Sequence, residues 1–252
     1  MKKIILFSIL FFFFNLKSYN QNSKITSNEN IGWYNYFGTF NISPKVSLHT
    51  EYQWRRDNYI NNWQQSLLRF GVNYKFNPTI LVRIGGAWIE TFPYGDYTLQ
   101  KFGKDFTEYR TYQLLQISNQ LGKFNINHRY ILEQRWVGNY NTEESLKEDF
   151  FTYLNRIRYM IKVNVPLKGT EIGDKTPYLS FFDEIFIGFG KNIQNNVFDQ
   201  NRIGLLLGYS FTKNIKLEAG YLNQTILFGR RLNNQNIFQF NNGLIVNTIF
   251  NF

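Results

Sequence analysis

Residues 46–56 read VSLHTEYQWRR, and the spacing within this stretch decides the fold. Val46, Leu48, Thr50, Tyr52 and Trp54 fall on one face of an extended chain, and Ser47, His49, Glu51, Gln53 and Arg55 on the other. Side chains alternate with period two along a strand, so one face suits lipid and the other water. The pattern recurs. Phe124, Ile126, His128, Tyr130, Leu132 and Trp136 oppose Asn125, Asn127, Arg129, Glu133 and Arg135. Phe151, Tyr153, Ile157, Tyr159, Ile161 and Val163 oppose Arg156, Arg158 and Lys162, and Ile203, Leu205, Leu207, Tyr209 and Phe211 oppose Arg202, Gly204, Gly208 and Ser210. Several of these runs exceed the five or six residues common in soluble sheets and match a tilted membrane crossing.

Composition agrees with this reading. Aromatics make up 19% of the chain, yet mean hydropathy is −0.36. A barrel in lipid needs an apolar residue only at every second strand position, which halves its apolar content. The start reads as an export leader: Lys2 and Lys3, an apolar run from Ile4 to Phe14, then polar residues to Asn20. That run is too short for the roughly 20 residues of a membrane-spanning helix. We therefore expect a leader over residues 1–20 and one β domain over 21–252. There is no cysteine, which excludes disulfides, thiolate metal sites and a lipid-anchored lipoprotein. The net charge of +10 could suit nucleic acid, but export argues against that partner, and lipopolysaccharide and outer-membrane lipid fit better.

Turn signals alternate in length. Short connections fall at 43–45, 77–79, 120–123 and 212–214, and longer ones at 92–105, 137–149 and 190–200. Outer-membrane barrels alternate short periplasmic turns with long outer loops in this way. The long connection at 165–177 breaks the alternation. Eleven strands can be traced, between 31–42 and 237–252. Because single-chain bacterial barrels have even strand numbers, the expected fold is an all-β, single antiparallel transmembrane β-barrel of about twelve strands, with ten as the alternative. Residues 21–30 must then reach the outer side. An exported soluble β-sandwich is the rival architecture.

Leu244, Val246, Thr248, Phe250 and Phe252 share one face of the final segment. This row resembles the terminal signal read by the barrel-assembly machinery, with Phe250 and Phe252 as its aromatic anchors. A wider resemblance rests on Trp33, Glu51 to Arg55, Arg69-Phe70-Gly71 with Tyr74, Arg156-Ile157-Arg158-Tyr159, Glu184, Asp199-Gln200-Asn201-Arg202, and Gly220-Tyr221 with Gln224. Over nearly its mature length the chain resembles the family catalogued as domain of unknown function 2490. The resemblance implies a barrel-like fold and an outer-membrane location, and it supplies no reaction.

The inward faces are expected to gather Glu51, Arg55, Arg69, Arg83, Glu108, Arg110, Arg129, Glu133, Arg135, Arg156, Arg158, Glu184, Arg202 and Glu218. On the lipid face an arginine or lysine would cost about 2–4 kcal/mol at the midplane, so a lumen is where these charges can be kept. Two readings compete: a structural network that fills the barrel and sets strand register, since the guanidinium fork pairs readily with carboxylates, or a narrow constriction favouring anions. A lipid hydrolase is a third possibility, but only His49 and His128 exist and no His-x-Ser pair is present. His128 falls on the lipid side. His49 lies inward near Ser47 and Glu51, and the spacing of about 7 Å between residues two apart predicts no direct hydrogen bond for most rotamers. No catalytic residues, metal ligands or cofactors are assigned. Asp183 and Glu184 point to opposite faces, and Gly85-Gly86 reads as a close-packing position. All five tryptophans, Trp33 included, sit toward strand ends and are expected to act as interfacial anchors.

Overall fold

The computed structural model describes residues 24–193 and 196–252, so the leader assigned to residues 1–20 lies outside the described residues. Eleven strands follow one another: β1 (Ile25–Asn41), β2 (Val46–Asp57), β3 (Asn62–Lys75), β4 (Ile80–Thr91), β5 (Phe106–Leu121), β6 (Phe124–Asn139), β7 (Phe150–Pro166), β8 (Thr176–Phe189), β9 (Phe198–Thr212), β10 (Ile215–Leu232) and β11 (Gln235–Asn251). Each pairs with its sequence neighbour, and β1 closes on β11, so the sheet is a single closed barrel. This excludes the β-sandwich. Among the described residues no helix is long and apolar enough to cross a membrane.

The strand number falls between the two expected values. An odd number of consecutive antiparallel strands leaves the first and last pointing the same way, and β1 indeed pairs with β11 in parallel, from Ile25↔Ile237 to Thr39↔Asn251. Residues 25–30 supply no extra strand. They extend β1 upward along β11, which is how this segment reaches the far end of the barrel. One barrel end carries the connections 42–45, 76–79, 122–123, 167–175 and 213–214. The other carries 58–61, 92–105, 140–149, 190–197 and the tight turn 233–234. In that tight turn Asn233 and Asn234 have φ of 50° and 62°. Asparagine tolerates this left-handed backbone, which two-residue hairpins demand.

Burial follows the alternation. On β2, Ser47, His49, Glu51, Gln53 and Arg55 are buried, whereas Leu48 and Tyr52 are exposed. The outer wall is a band of large apolar side chains such as Phe70, Ile84, Ile157, Leu205 and Leu207. Aromatic clusters edge this band. Trp54 contacts Tyr34 and Trp63 at the long-loop end, and Phe252 stacks on Phe40 and Phe250 at the other. Inside, aromatic rings lie over glycines. The Tyr112 hydroxyl donates to the Phe70 carbonyl at 3.1 Å, and a Cβ at Gly85 would lie 2.8 Å from that hydroxyl. Phe182 covers Gly204 in the same way.

A charged network in the barrel interior

Alternation carries the carboxylates and guanidinium groups inward, and the narrow barrel brings them into contact. Glu133 on β6 sits at the centre, 1% exposed. It accepts from Arg156 Nε at 2.9 Å and from Arg158 Nη1 at 2.7 Å, both on β7. Arg158 continues to Glu184 on β8 at 2.7 Å, which also takes Arg129 at 2.9 Å and faces Arg202 at 3.7 Å. On the other side Glu51 pairs with Arg69 at 2.8 Å, and Glu108 holds Arg110 at 2.6 Å together with Arg135. Arg69 and Arg110 each approach Glu133 at 3.9 Å, which joins the two halves across the lumen. Arginines outnumber acids here. Charge-assisted hydrogen bonds of this kind are about twice as strong as neutral ones, and removing one partner strands another buried charge.

Two expected members lie at the edge of the network. Arg55 has no carboxylate within ion-pair distance among the described residues. Its Nε donates to Gln53 at 2.9 Å and its Nη1 to Gln65 at 2.7 Å, and its guanidinium lies 3.8 Å from the centre of the Trp33 ring. Arg83 likewise pairs with an amide, Asn73. Trp33 corrects the interfacial assignment. It points inward, is 3% exposed, donates to Gln64 at 2.7 Å, and stands between Arg55 and Arg202, the latter 4.8 Å from its ring centre. Its cation–π contacts serve guanidinium groups whose charges carboxylates do not fully cover. The outward tryptophans are Trp54, Trp63, Trp88 and Trp136.

Simple alternation does not account for every interior residue. Asp199 takes Arg156 although it shares parity with the outward Ile203. Pairing skips it, from Phe186↔Gln200 to Ile187↔Phe198, and such a bulge re-aims a side chain. Lys162 reaches Glu218 at 2.7 Å, where Tyr178 and Asn247 also donate. An amide chain runs from Gln200 through Gln224 and Asn241 to Gln239. Contiguous polar spacing is the only sequence signal for such a chain, and the asparagine-rich composition masks it.

The long-loop mouth is covered. Residues 92–105 cross from β4–β5 to the opposite wall, where Tyr97 and Leu99 pack on Ile226, Phe228 and Ile237. Arg230 donates to the Thr98 carbonyl at 2.7 Å, and Asn241 donates to the Tyr94 hydroxyl at 3.1 Å. Burial pushes the Tyr94 phenol up, so it stays protonated near neutrality. Beneath this loop lies a cavity of about 210 Å³, and at the short-turn end one of about 790 Å³.

The hydrolase geometry does not assemble. His49 Nε2 does reach Glu51 Oε2 at 3.2 Å, against the expectation from strand spacing, because both side chains lean toward each other along the strand. Ser47, however, accepts from Asn73 at 2.9 Å, and Glu51 is engaged by Arg69. His128 faces outward and contacts the Tyr159 hydroxyl at 2.9 Å.

Fold and interior together define a closed all-β barrel whose lumen is crossed by a network of ion pairs, with cavities at either end. Residues 30–236 match the family model described as protein of unknown function (DUF2490), and the chain belongs to that family. No curated protein and no solved structure matches it.

Proposed function

We propose that the chain is an integral outer-membrane barrel, exported by its leader, whose lumen is closed to free diffusion and serves a structural or ligand-binding role. The observation that carries this reading is the outer wall. A closed barrel with Phe70 at 59%, Ile84 at 64% and Leu207 at 58% exposure presents water with far more contiguous apolar surface than a soluble monomer tolerates. The aromatic clusters at both edges fit the two interfacial girdles of such barrels. Outer-membrane lipid and lipopolysaccharide are the partners this wall suits, and the row ending in Phe250 and Phe252 suits the barrel-assembly machinery.

Closure rests on width and content. About eight strands leave an interior that side chains fill, and sixteen to eighteen leave a channel. Eleven strands lie nearer the first case, and the Glu133 cluster and the 92–105 loop occupy the path. The anion-preferring constriction therefore reduces to a cationic interior without through-flow. Folded protein run unboiled against boiled, and floated with vesicles, tests the membrane reading. The expected result is a mobility shift and co-flotation; a soluble species without a shift refutes it. Planar-bilayer recording tests closure, and steady conductance by the wild-type chain refutes that part.

A further inference from the structure

We infer that the cavity of about 790 Å³ at the short-turn end is a binding site for a small hydroxylated anion, a sugar acid or a sugar phosphate. This rests on the closed-lumen reading, because the cavity is then a dead end entered from one side only. Its volume lies within the range of about 300–1,000 Å³ typical of ligand pockets.

The charges favour an anion. Lys216, Lys123 and Arg83 line the cavity and have no carboxylate within ion-pair distance among the described residues. Of the two lining carboxylates, Glu218 is already engaged by Lys162, Tyr178 and Asn247. Two orphaned atoms supply the independent sign of a missing ligand. Arg129 and Asn164 line this cavity, and their buried Nε and Oδ1 atoms have no hydrogen-bond partner among the described residues. Buried polar groups are nearly always satisfied, and each exception calls for an explanation. One is a donor and the other an acceptor. A hydroxyl can serve both, whereas a bare anion can serve only the donor. The remaining wall carries Asn73, Asn127 and Gln116; these amides already bond to neighbouring side chains, and each keeps a second N–H and a second lone pair with which to donate to and accept from sugar hydroxyls.

Glucuronate, glucose 6-phosphate and glucose are titrated calorimetrically into the folded full-length chain in detergent, after its heat-dependent mobility shift has been verified. At least one of the two anions is expected to bind, more weakly at high salt, and glucose is expected not to; which anion binds identifies the charged group. Lys216→Gln, at a side chain without an ion pair, and Arg83→Gln should each weaken binding by about tenfold while keeping the mobility shift. Absence of binding by both anions, equal binding of glucose, or unchanged affinity in Lys216→Gln overturns the inference. Because the mobility shift is read separately, such a failure leaves the membrane reading standing.

Discussion

Glu133→Gln tests whether the interior network is a dry, coupled structure. The substitution keeps shape and one carbonyl acceptor but deletes the charge that Arg156 and Arg158 share at 1% exposure. Arg156 still has Asp199 and Arg158 still has Glu184. Arg69 and Arg110, each 3.9 Å from Glu133, lose a neutralising neighbour as well. Breaking a buried pair by removing one partner costs about 3–5 kcal/mol. The surviving partners put the expected loss near the lower bound, about 3 kcal/mol. Urea unfolding in vesicles, followed by tryptophan fluorescence, should show a lower midpoint with an unchanged slope. Glu143→Gln, in the exposed 140–149 loop, is the control and should change stability by no more than about 0.5 kcal/mol. If both variants lose the same small amount, the interior charges are solvated individually and the network does not hold the barrel.

Three further outcomes follow from local geometry. Asp183 lies on the outer face between the exposed Phe181 and Ile185, with Asn201 at 2.6 Å as its one side-chain hydrogen-bond partner among the described residues, so Asp183→Leu should raise the unfolding midpoint in vesicles; a lowered midpoint would give this carboxylate a structural duty. Tyr94→Ala removes a buried ring from beneath the 92–105 loop, should cost about 3–5 kcal/mol as large aromatic truncations do, and should open Trp33 to acrylamide quenching; unchanged quenching would mean that the loop does not seal the mouth. Burial pushes the Glu148 carboxyl up, but the Thr107 amide donating to it at 2.7 Å, its own amide and the Thr107 hydroxyl together outweigh that and hold it below its usual range, while the Asn141 amide and the Ser145 hydroxyl hold Asp149 down. A depressed carboxyl stabilises the fold above its unfolded value, near 4, and that contribution disappears as pH falls through the folded value; amide shifts of Thr107 and Asn141 should therefore hold steady above about pH 4 and move only below it, and movement nearer neutrality would contradict the assignment.

Much of the barrel was legible because period-two alternation is local. On β2 the polar row Ser47, His49, Glu51, Gln53 and Arg55, and on β7 Arg156, Arg158 and Lys162, alternate with mostly apolar or aromatic neighbours and determine the faces without any knowledge of partners. Where both faces carry aromatics the signal fails. Around Trp33 the sequence reads Ile31, Gly32, Trp33, Tyr34, Asn35, Tyr36, Phe37, and only pairing with Arg55 turns Trp33 inward. Asp199 was hidden for a different reason, since a bulge shifts parity by one residue and leaves no mark in composition. Strand number was the least local property. It depends on whether residues 25–30, with Ser27, Asn28, Glu29 and Asn30 and little apolar alternation, add a strand or lengthen one, and that is decided by pairing with β11 more than 200 positions away.

The parallel seam is where this barrel would be expected to give first, because parallel pairing is slightly less stable per residue than antiparallel pairing. The structure reinforces it by other means. The pairing is long, from Ile25 to Thr39 on β1. Asn35 donates to Asn247 at 2.9 Å inside the barrel, Thr248 donates to the Asn35 carbonyl at 3.1 Å, and Phe40 stacks on Phe252 outside. At the long-loop end the 92–105 segment fastens both sides of the seam, since the Asp96 amide donates to Glu29 on β1 at 2.9 Å while Tyr94 accepts from Asn241 on β11. The same loop also grips β10 through Arg230. Covering the mouth and clamping the seam are therefore one structural act. A substitution that frees the loop should loosen β1 from β11 as well as expose the lumen, and hydrogen exchange at the amides of β1 distinguishes that coupled opening from a loop that swings alone.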